Sequence, residues 1–146
     1  MSCPTCGAST RPVPGPGREL TVGTVAVSVE RLPGFRCDAG HLSPSDDVDV
    51  ARVLATCDEL VPPAGGGRLR GDRCSGCRAA LTMPVRRTVR SVPVAGASAI
   101  GVLTLHLDVP ATRCPGCGRD QVPRRSQADL TAAVTQVLRA TPPDPT

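Results

Sequence analysis

Seven of the eight cysteines, together with one histidine, fall into two sets of four potential metal ligands. Each set consists of two close pairs, separated by a stretch long enough to form β-strands. Paired ligands with this spacing are typical of structural zinc sites, in which two tight turns converge on one tetrahedral ion. We therefore expect two zinc ions, bound by Cys3, Cys6, Cys37 and His41 in one site and by Cys74, Cys77, Cys114 and Cys117 in the other.

Two features of these sets leave alternatives open. Three residues separate Cys37 from His41 instead of two, so another group such as Cys57 could supply the fourth ligand of the first site. The ligands alone do not exclude iron, because rubredoxin-like sites use similar turns. Cys57 also falls among apolar residues at helical spacing. We therefore interpret Cys57 as a small buried hydrophobe and not as a reactive thiol.

The remaining composition explains why such a chain needs metal. Phe35 is its only aromatic residue, and 15 Gly and 16 Pro residues make it rich in turns. A core of Val, Leu and Ala lacks the large area that aromatic side chains bury. Small modules with so small an apolar core need an additional source of stability. A structural zinc ion contributes on the order of 10 kcal/mol to folding.

The charge of the chain depends on the bound metal. The formal net charge is +4, and all 17 basic residues are arginines. Residues 1–73 carry 8 Arg and 9 acidic residues, whereas residues 74–146 carry 9 Arg and 4 acidic residues. A zinc site contributes −1 with three thiolates and −2 with four, so the loaded halves carry −2 and +3. Such a balance is a weak electrostatic argument for nucleic-acid binding, and any such contact would use the second half.

The two ligand sets divide the chain into similar units. We predict an α+β fold with two tandem zinc-ribbon-like modules. Each module is expected to be a β-hairpin or small antiparallel sheet that carries two metal-binding turns and is followed by one amphipathic helix. The modules span residues 1–61 and 74–141, the segment 62–73 is predicted to be a flexible Pro/Gly linker, and residues 142–146 a disordered tail.

Alternating side chains predict the strands. Val25, Val27 and Val29 alternate with small residues, which indicates a strand in the first module. In the second module, a strand around Val85–Val94 is expected to pair with a following strand across a turn at Ala95–Ser98. The apolar face of that following strand comprises Leu103, Leu105, Leu107 and Val109, and its other face comprises Val102, Thr104, His106 and Asp108.

Each module ends with a predicted amphipathic helix. Ser43–Asp46 offers an N-cap with a proline at the first helical position, and Ser126–Asp129 is a similar start. The apolar stripes that follow are Val50, Val53, Leu54, Cys57 and Val61 in the first helix, and Leu130, Val134, Val137 and Leu138 in the second. We expect each helix to cover one face of the sheet of its own module.

No combination of residues in the sequence indicates catalysis. We find no nucleophile–base pair, no paired carboxylates and no phosphate-binding glycine loop, and four protein ligands leave a zinc ion no open position. His106 alternates with the apolar residues of its strand, so we expect it to face solvent. The chain shows no signal-peptide pattern and no apolar run of the ~18 residues that a membrane helix needs. We therefore expect a cytoplasmic protein that is not an enzyme.

Four motifs of the first module occur together in a known family: the turn Cys3–Gly7, the valine-rich strand, the segment Leu32–Cys37 and the helix that follows. In these motifs the module resembles the YgiT-type zinc finger, the N-terminal domain of MqsA-like antitoxins. The resemblance implies a structural zinc ion and contact with a partner toxin, and the second module looks like a divergent second copy. Those antitoxins continue with a helix-turn-helix DNA-binding domain, in place of which this chain has its second set of cysteines. The ligands that the resemblance implies are Cys3, Cys6, Cys37 and His41, the last in place of a cysteine.

Three functional hypotheses follow. The first, which closed metal sites and near-neutral charge favour, is a protein-interaction module that acts as an adaptor or antitoxin-like partner. The second is nucleic-acid binding by the basic second module, which has no aromatic side chains to stack on bases. The third is rubredoxin-like electron transfer by iron. The arginines of the second hypothesis are Arg78, Arg86, Arg87, Arg90, Arg124 and Arg125.

Overall fold

The computed structural model of the protein describes residues 2–44, 48–66, 71–81, 86–98 and 101–139. Within these ranges the chain forms a mixed α/β structure with two antiparallel sheets and two helices. The helices are α1 (Val50–Leu60) and α2 (Arg124–Arg139). The strands are β1 (Thr10–Pro14), β2 (Arg18–Val22), β3 (Val25–Val29), β4 (Pro33–Cys37), β5 (Leu42–Pro44), β6 (Arg86–Ser98), β7 (Gly101–Arg113) and β8 (Asp120–Gln121).

The smaller sheet has the strand order β1-β4-β5 and belongs to the first half of the chain. β1 pairs antiparallel with β4, so that Thr10 lies opposite Cys37 and Pro14 opposite Pro33. Cys37 is therefore the last residue of a strand that is paired along its whole length. This pairing holds the second ligand pair of the first set close to the N-terminal turn.

The larger sheet joins the two halves of the chain. Its order is β2-β3-β7-β6, and β8 pairs with the end of β7. Ala26–Val29 of β3 lies antiparallel to Leu105–Asp108 of β7. The β2-β3 hairpin of the first half therefore shares one hydrogen-bonded sheet with the long β6-β7 hairpin of the second. The limits of the two modules stay a prediction, but their hairpins do not form separate sheets.

The core lies on one face of this larger sheet. The alternation predicted for β3 and for β7 up to Val109 is confirmed, because alternate residues are buried and those between them are half-buried; beyond Val109, Pro110–Thr112 are all buried. A period of two places every second side chain on the same face of a strand. The buried side chains of these two strands are Val25, Val27, Val29, Leu103, Leu105, Leu107 and Val109.

Both helices pack on the core face, and each lies mainly on strands from the other half of the chain. α1 of the first half packs on β6, α2 of the second half packs on β2 and β3, and the helices contact each other. The expectation that each helix covers the sheet of its own module is therefore wrong. The pairing of β3 with β7 is the reason, since it merges two apolar faces into one surface. The helical stripes contribute Val53, Cys57, Leu130, Val134 and Val137 to a common core.

The β6-β7 hairpin is longer than predicted. The sequence predicts a turn at Ala95–Ser98, whereas β6 continues to Ser98, which lies opposite Gly101 beyond an irregularity in the register. Ala97 is buried in the core, which explains why the strand does not end at Val94. The start of the predicted strand at Val85 lies outside the described residues.

The helices begin at residues other than the predicted caps. The N-cap of α1 is Asp49, whose carboxylate accepts a hydrogen bond from the Arg52 amide. Of the predicted cap, Ser43 and Pro44 belong to β5, and the other two residues lie outside the described ranges. α2 begins at Arg124, two residues before its predicted start. Neither helix combines the length with the apolar character that a membrane crossing requires.

The predicted linker is partly fixed by hydrogen bonds. The amide of Ala64 donates to the Val122 carbonyl, and the amide of Val122 donates to the Pro62 carbonyl. Gly65 and Arg73 exchange a further pair of backbone hydrogen bonds. Ala64 is also buried, so the segment up to residue 66 packs against the second half of the chain. Residues 67–70 and the predicted tail at 142–146 lie outside the described ranges.

Candidate metal centres

The first predicted ligand set comes together beside the smaller sheet. Cys3 and Cys6 lie in a turn that is closed by a hydrogen bond from the Gly7 amide to the Cys3 carbonyl. His41 follows Cys37 by one turn, and its amide donates to Cys37 Sγ at 3.3 Å. Nδ1 of His41 lies 3.8 Å from Cys3 Sγ, and Sγ of Cys6 lies 3.7 Å from Cys37 Sγ. All four ligand atoms lie within 4.8 Å of one another and could hold one metal ion.

The second set comes together where β7 ends. Cys114 directly follows β7, and Cys117 lies in the turn before β8. Sγ of Cys74 lies 3.6 Å from Cys117 Sγ, and Sγ of Cys77 lies 3.4 Å from Cys114 Sγ. The four ligand atoms again lie within 4.8 Å of one another. In each set, the first cysteine of each close pair is buried and the second ligand is exposed.

The distances between ligand atoms fit a tetrahedral metal site. Zn–S bonds of about 2.3 Å give a zinc tetrahedron an edge of about 3.8 Å. Four contacts between the paired turns measure 3.4–3.8 Å. Both groups therefore have the donor atoms and the spacing to bind a metal ion, as the sequence predicts.

A positive φ angle recurs in every metal-binding turn. It is 74° at Gly7 and Gly118, 87° at Gly40 and 65° at Arg78. Glycine adopts this conformation without steric cost, whereas a side chain disfavours it. Arg78 is the one non-glycine residue with a positive φ in the part of the chain that the structure describes. The second site therefore holds an arginine in a backbone conformation that the other three turns assign to glycine.

Backbone amides prepare the buried sulfurs to act as thiolates. The N–H of Cys77 is the largest influence that lowers the pKa of Cys74, from 9 to about 5, and it outweighs the opposing effect of desolvation. The N–H of Cys6 likewise lowers the pKa of Cys3 to about 6. Because a metal binds the thiolate and not the thiol, these two buried sulfurs favour the state that ligates. The exposed Cys77 differs: the Ala79 amide is the largest single influence and lowers its pKa, but the contacts with Cys114 and Cys74 together raise it to about 11.

A buried amide supports the second site from outside the ligand set. Gln121 of β8 is fully buried, and its Nε2 donates to Cys74 Sγ at 3.1 Å. Its Oε1 accepts a hydrogen bond of 2.7 Å from the Ser75 amide. The side chain therefore connects a ligand sulfur to the turn that carries it. The sequence analysis missed Gln121, because a lone glutamine between strand and helix carries no recognisable signal.

Cys57 belongs to neither group. Its side chain is fully buried in the core, as predicted from its place on the apolar stripe of α1. Burial, with a smaller effect of Asp58, raises the pKa of its thiol to about 11. His41 is the residue that lies close to the other three ligands of the first group.

The arginines of the nucleic-acid hypothesis do not form one surface. Arg86 and Arg90 lie on the same side of β6, and both approach the carboxylate of Asp120. Arg87 alternates with them and donates to Asp108 at 2.9 Å, and Arg124 of α2 pairs with Asp72 at 3.0 Å. Arg78 and Arg125 are exposed on the second metal turn and on α2.

The structure forms one constellation that the sequence analysis did not anticipate. His106 Nδ1 lies 3.0 Å from Ser91 Oγ, and His106 Nε2 lies 2.8 Å from a carboxylate oxygen of Glu30. The sequence analysis did not anticipate this contact, and the expectation that the chain is not an enzyme stays a prediction. The three residues come from β6, from β7 and from the position that follows β3, so only the register of the larger sheet brings them together. His106 is held at both ring nitrogens and is half-buried instead of facing solvent freely.

Comparison of the chain with family models finds no match, and comparisons with curated proteins and with solved structures find none either. The resemblance to YgiT-type zinc fingers stays a prediction that rests on the motifs of the first half. The comparisons therefore assign no family and no function to this chain.

Proposed function

We propose that each four-ligand group binds one zinc ion and that both ions are structural. The contacts between paired turns support this proposal, since their 3.4–3.8 Å match the edge of a zinc tetrahedron. A site that combines thiolates with an imidazole also suits zinc. With four protein ligands, the ion has no open position at which water or a substrate could react. The zinc ions then stabilise the fold, and the surface of the protein provides the function.

On this scaffold we propose a non-enzymatic protein-interaction module, an adaptor or antitoxin-like partner. The observation that carries the proposal is the face of the larger sheet opposite the core, on which neither α1 nor α2 packs. This open face carries Val89 and Val102, whose exposed fractions are 65% and 61%. Val89 lies opposite Asp108, six residues along β7 from Val102, so the two valines offer a partner two apolar contact points about 20 Å apart on this face.

Metal content tests the first part of this proposal. Native mass spectrometry of the untagged protein should show two zinc ions, one zinc ion in His41→Ala, and two in Cys57→Ala. Red protein with bound iron would instead favour rubredoxin-like electron transfer.

Capture of partners by the zinc-loaded protein tests the second part. A partner that uses the open face should be lost from the double variant Val89→Asp/Val102→Asp. It should be retained by Leu60→Asp, a matched control at the end of α1 whose side chain is 48% exposed. Equal recovery by both variants would contradict a contact through this face.

One observation favours nucleic acid as the second candidate. The guanidinium groups of Arg86, Arg90 and Arg113 all approach the single carboxylate of Asp120, at 3.3–3.7 Å, which leaves a local excess of positive charge. Binding to phosphates should weaken steeply with salt. A duplex RNA or DNA probe should lose affinity in Arg86→Gln/Arg90→Gln but not in Arg139→Gln at the end of α2. Binding that does not depend on salt would reject this candidate.

A further inference from the structure

The open face of the larger sheet contains a groove of about 160 Å³. Ala26 and Ser28 of β3 are small, and they lie between the longer side chains of β2 and β7. In the register, Ser28 is opposite Glu19 on one side and His106 on the other, and Ala26 is opposite Asp108. Two strands that flank a third are about 10 Å apart. The small residues of β3 therefore form the floor of a trough, with Glu19 on one wall and His106 and Asp108 on the other.

The groove is acidic although the chain is basic. Glu19 and Asp108 are the charged residues among the described residues that line it, and the formal charge of the whole chain is +4. Glu30 adds a third carboxylate behind His106, whose ring it holds by the 2.8 Å contact with Nε2. Attraction by these carboxylates would direct a cationic group to the groove.

Asp108 is already paired with one guanidinium group of the chain itself. Its Oδ1 receives a hydrogen bond of 2.9 Å from Nε of Arg87. A carboxylate has two oxygens with about four lone-pair positions, so Asp108 can accept a second donor. Carboxylates on opposite walls suit a planar guanidinium with its fork of five N–H donors better than a point-like ammonium. Val89 and Ala26 provide apolar contact for the methylene groups of the same side chain.

We propose that this groove binds the guanidinium group of an arginine side chain from a partner protein. The inference rests on the proposed interaction function and names the chemistry of the partner. His106, fixed between Ser91 and Glu30, acts as a rigid wall of the groove. The partner's arginine lies across Ala26 and Ser28 and pairs with Glu19 and Asp108.

A peptide titration of the full zinc-loaded protein tests the groove. The probe is acetyl-Ala-Arg-Ala-amide, followed by the amide shifts in 15N NMR spectra. Saturable shifts at Ala26, Ser28 and His106 are expected. The citrulline peptide, which has the same shape without the charge, should bind about tenfold more weakly, and the lysine peptide should also be weaker. Equal binding of the arginine and citrulline peptides, or shifts outside the groove, would overturn the proposal.

Variants separate charge from shape. Glu19→Gln and Asp108→Asn should each weaken the arginine peptide about two- to fivefold, and Glu59→Gln on the exposed side of α1 should not. Ser28→Leu retains every charge but fills the trough, so it should abolish the shifts. Arg87→Gln removes the competing guanidinium from Asp108 and should tighten binding. Undiminished affinity in Ser28→Leu would reject the groove as the binding site.

The groove and the proposed function can fail separately. A partner that is captured equally by the parent and by Ser28→Leu would overturn the groove and leave an interaction module in place. Saturable binding of the arginine peptide, without any zinc-dependent protein partner, would support the groove and count against the interaction function. The zinc stoichiometry and far-UV circular dichroism of each variant confirm that the fold compared is the same.

Discussion

At the scale of single residues, substitution of Cys57 tests whether this side chain fills the core or binds metal. Because its side chain is fully buried, Cys57→Ala should lower the free energy of unfolding by about 1 kcal/mol through the small cavity. Cys57→Ser should cost about 1–3 kcal/mol, because a hydroxyl would be buried in apolar surroundings. Urea unfolding measures both changes. Loss of either zinc ion from these variants would contradict the interpretation.

The ligand thiols predict how acid releases the metals. The pKa of Cys74 falls from 9 in the free thiol to about 5 in the folded site, and that of Cys3 falls to about 6. A depressed pKa stabilises the folded site fully above the unfolded value, and this contribution is lost as the pH falls through the folded value. The second thiol of each turn behaves in the opposite way, since the pKa of Cys77 is raised to about 11 and that of Cys6 is also raised. For Cys3 and Cys74 themselves, protons compete with metal at a higher pH in the first site.

We expect the first site to release its zinc at a higher pH than the second. Cys6→Ser leaves only the second site complete, and Cys77→Ser leaves only the first. A chromogenic zinc indicator, followed from pH 8 to pH 4 in both variants, gives the two midpoints. Equal midpoints, or earlier release in Cys6→Ser, would contradict the expected order.

At the scale of elements, β8 contributes to a metal site through Gln121. Removal of its amide in Gln121→Leu would leave Cys74 Sγ without the 3.1 Å hydrogen bond and the Ser75 amide without its acceptor. Loss of a residue that orients a ligand typically costs 10–100-fold in metal affinity. Competition with a chelator should show this loss at the second site only. Gln136→Leu on the exposed face of α2 is the matched control and should bind both metals normally.

The elements that local patterns specify could be predicted from the sequence. The valines of β3, the leucines of β7 and the stripes of both helices have periods that do not depend on what lies opposite. Metal ligation is similar, because two residues between paired cysteines already define a turn. The prediction places the start of α1 too early, because Ser43–Asp46 and Asp49 both offer N-cap side chains. In the structure Ser43 and Pro44 belong to β5, and Asp49 is the N-cap.

The pairing of β6 with β7 could be predicted, because a turn joins the two strands, but the pairing of β3 with β7 could not. Val27 lies opposite Leu107, but any other apolar strand would satisfy its pattern equally well. Which strand pairs with β3 depends on how all the strands and helices pack together around one core. The contact between Glu30 and His106 and the groove over Ala26 and Ser28 both depend on this choice of partner, so no local pattern in the sequence indicates them.

At the scale of the whole molecule, the shared sheet and core predict that the two metal sites unfold together. Cys6→Ser removes the first zinc site, and the structural contribution of that ion is large. We expect one urea transition, shifted to lower urea, in which loss of far-UV circular dichroism coincides with zinc release from the intact second site. Two separate transitions, with the second site unfolding as in the parent, would show that the halves are independent.

The pairing of β3 with β7 also has a consequence during synthesis. When the ribosome has completed the first half, β3 has β2 on one side only, and its valines have no α2 to cover them. The nascent chain therefore displays a free strand edge and an apolar face, which are the features that chaperones bind and that promote aggregation. The edge stays free until β7 has left the exit tunnel, and the apolar face stays uncovered until α2 has followed. During that interval the first half remains open to chaperones and to aggregation, even though its metal ligands have all been synthesised.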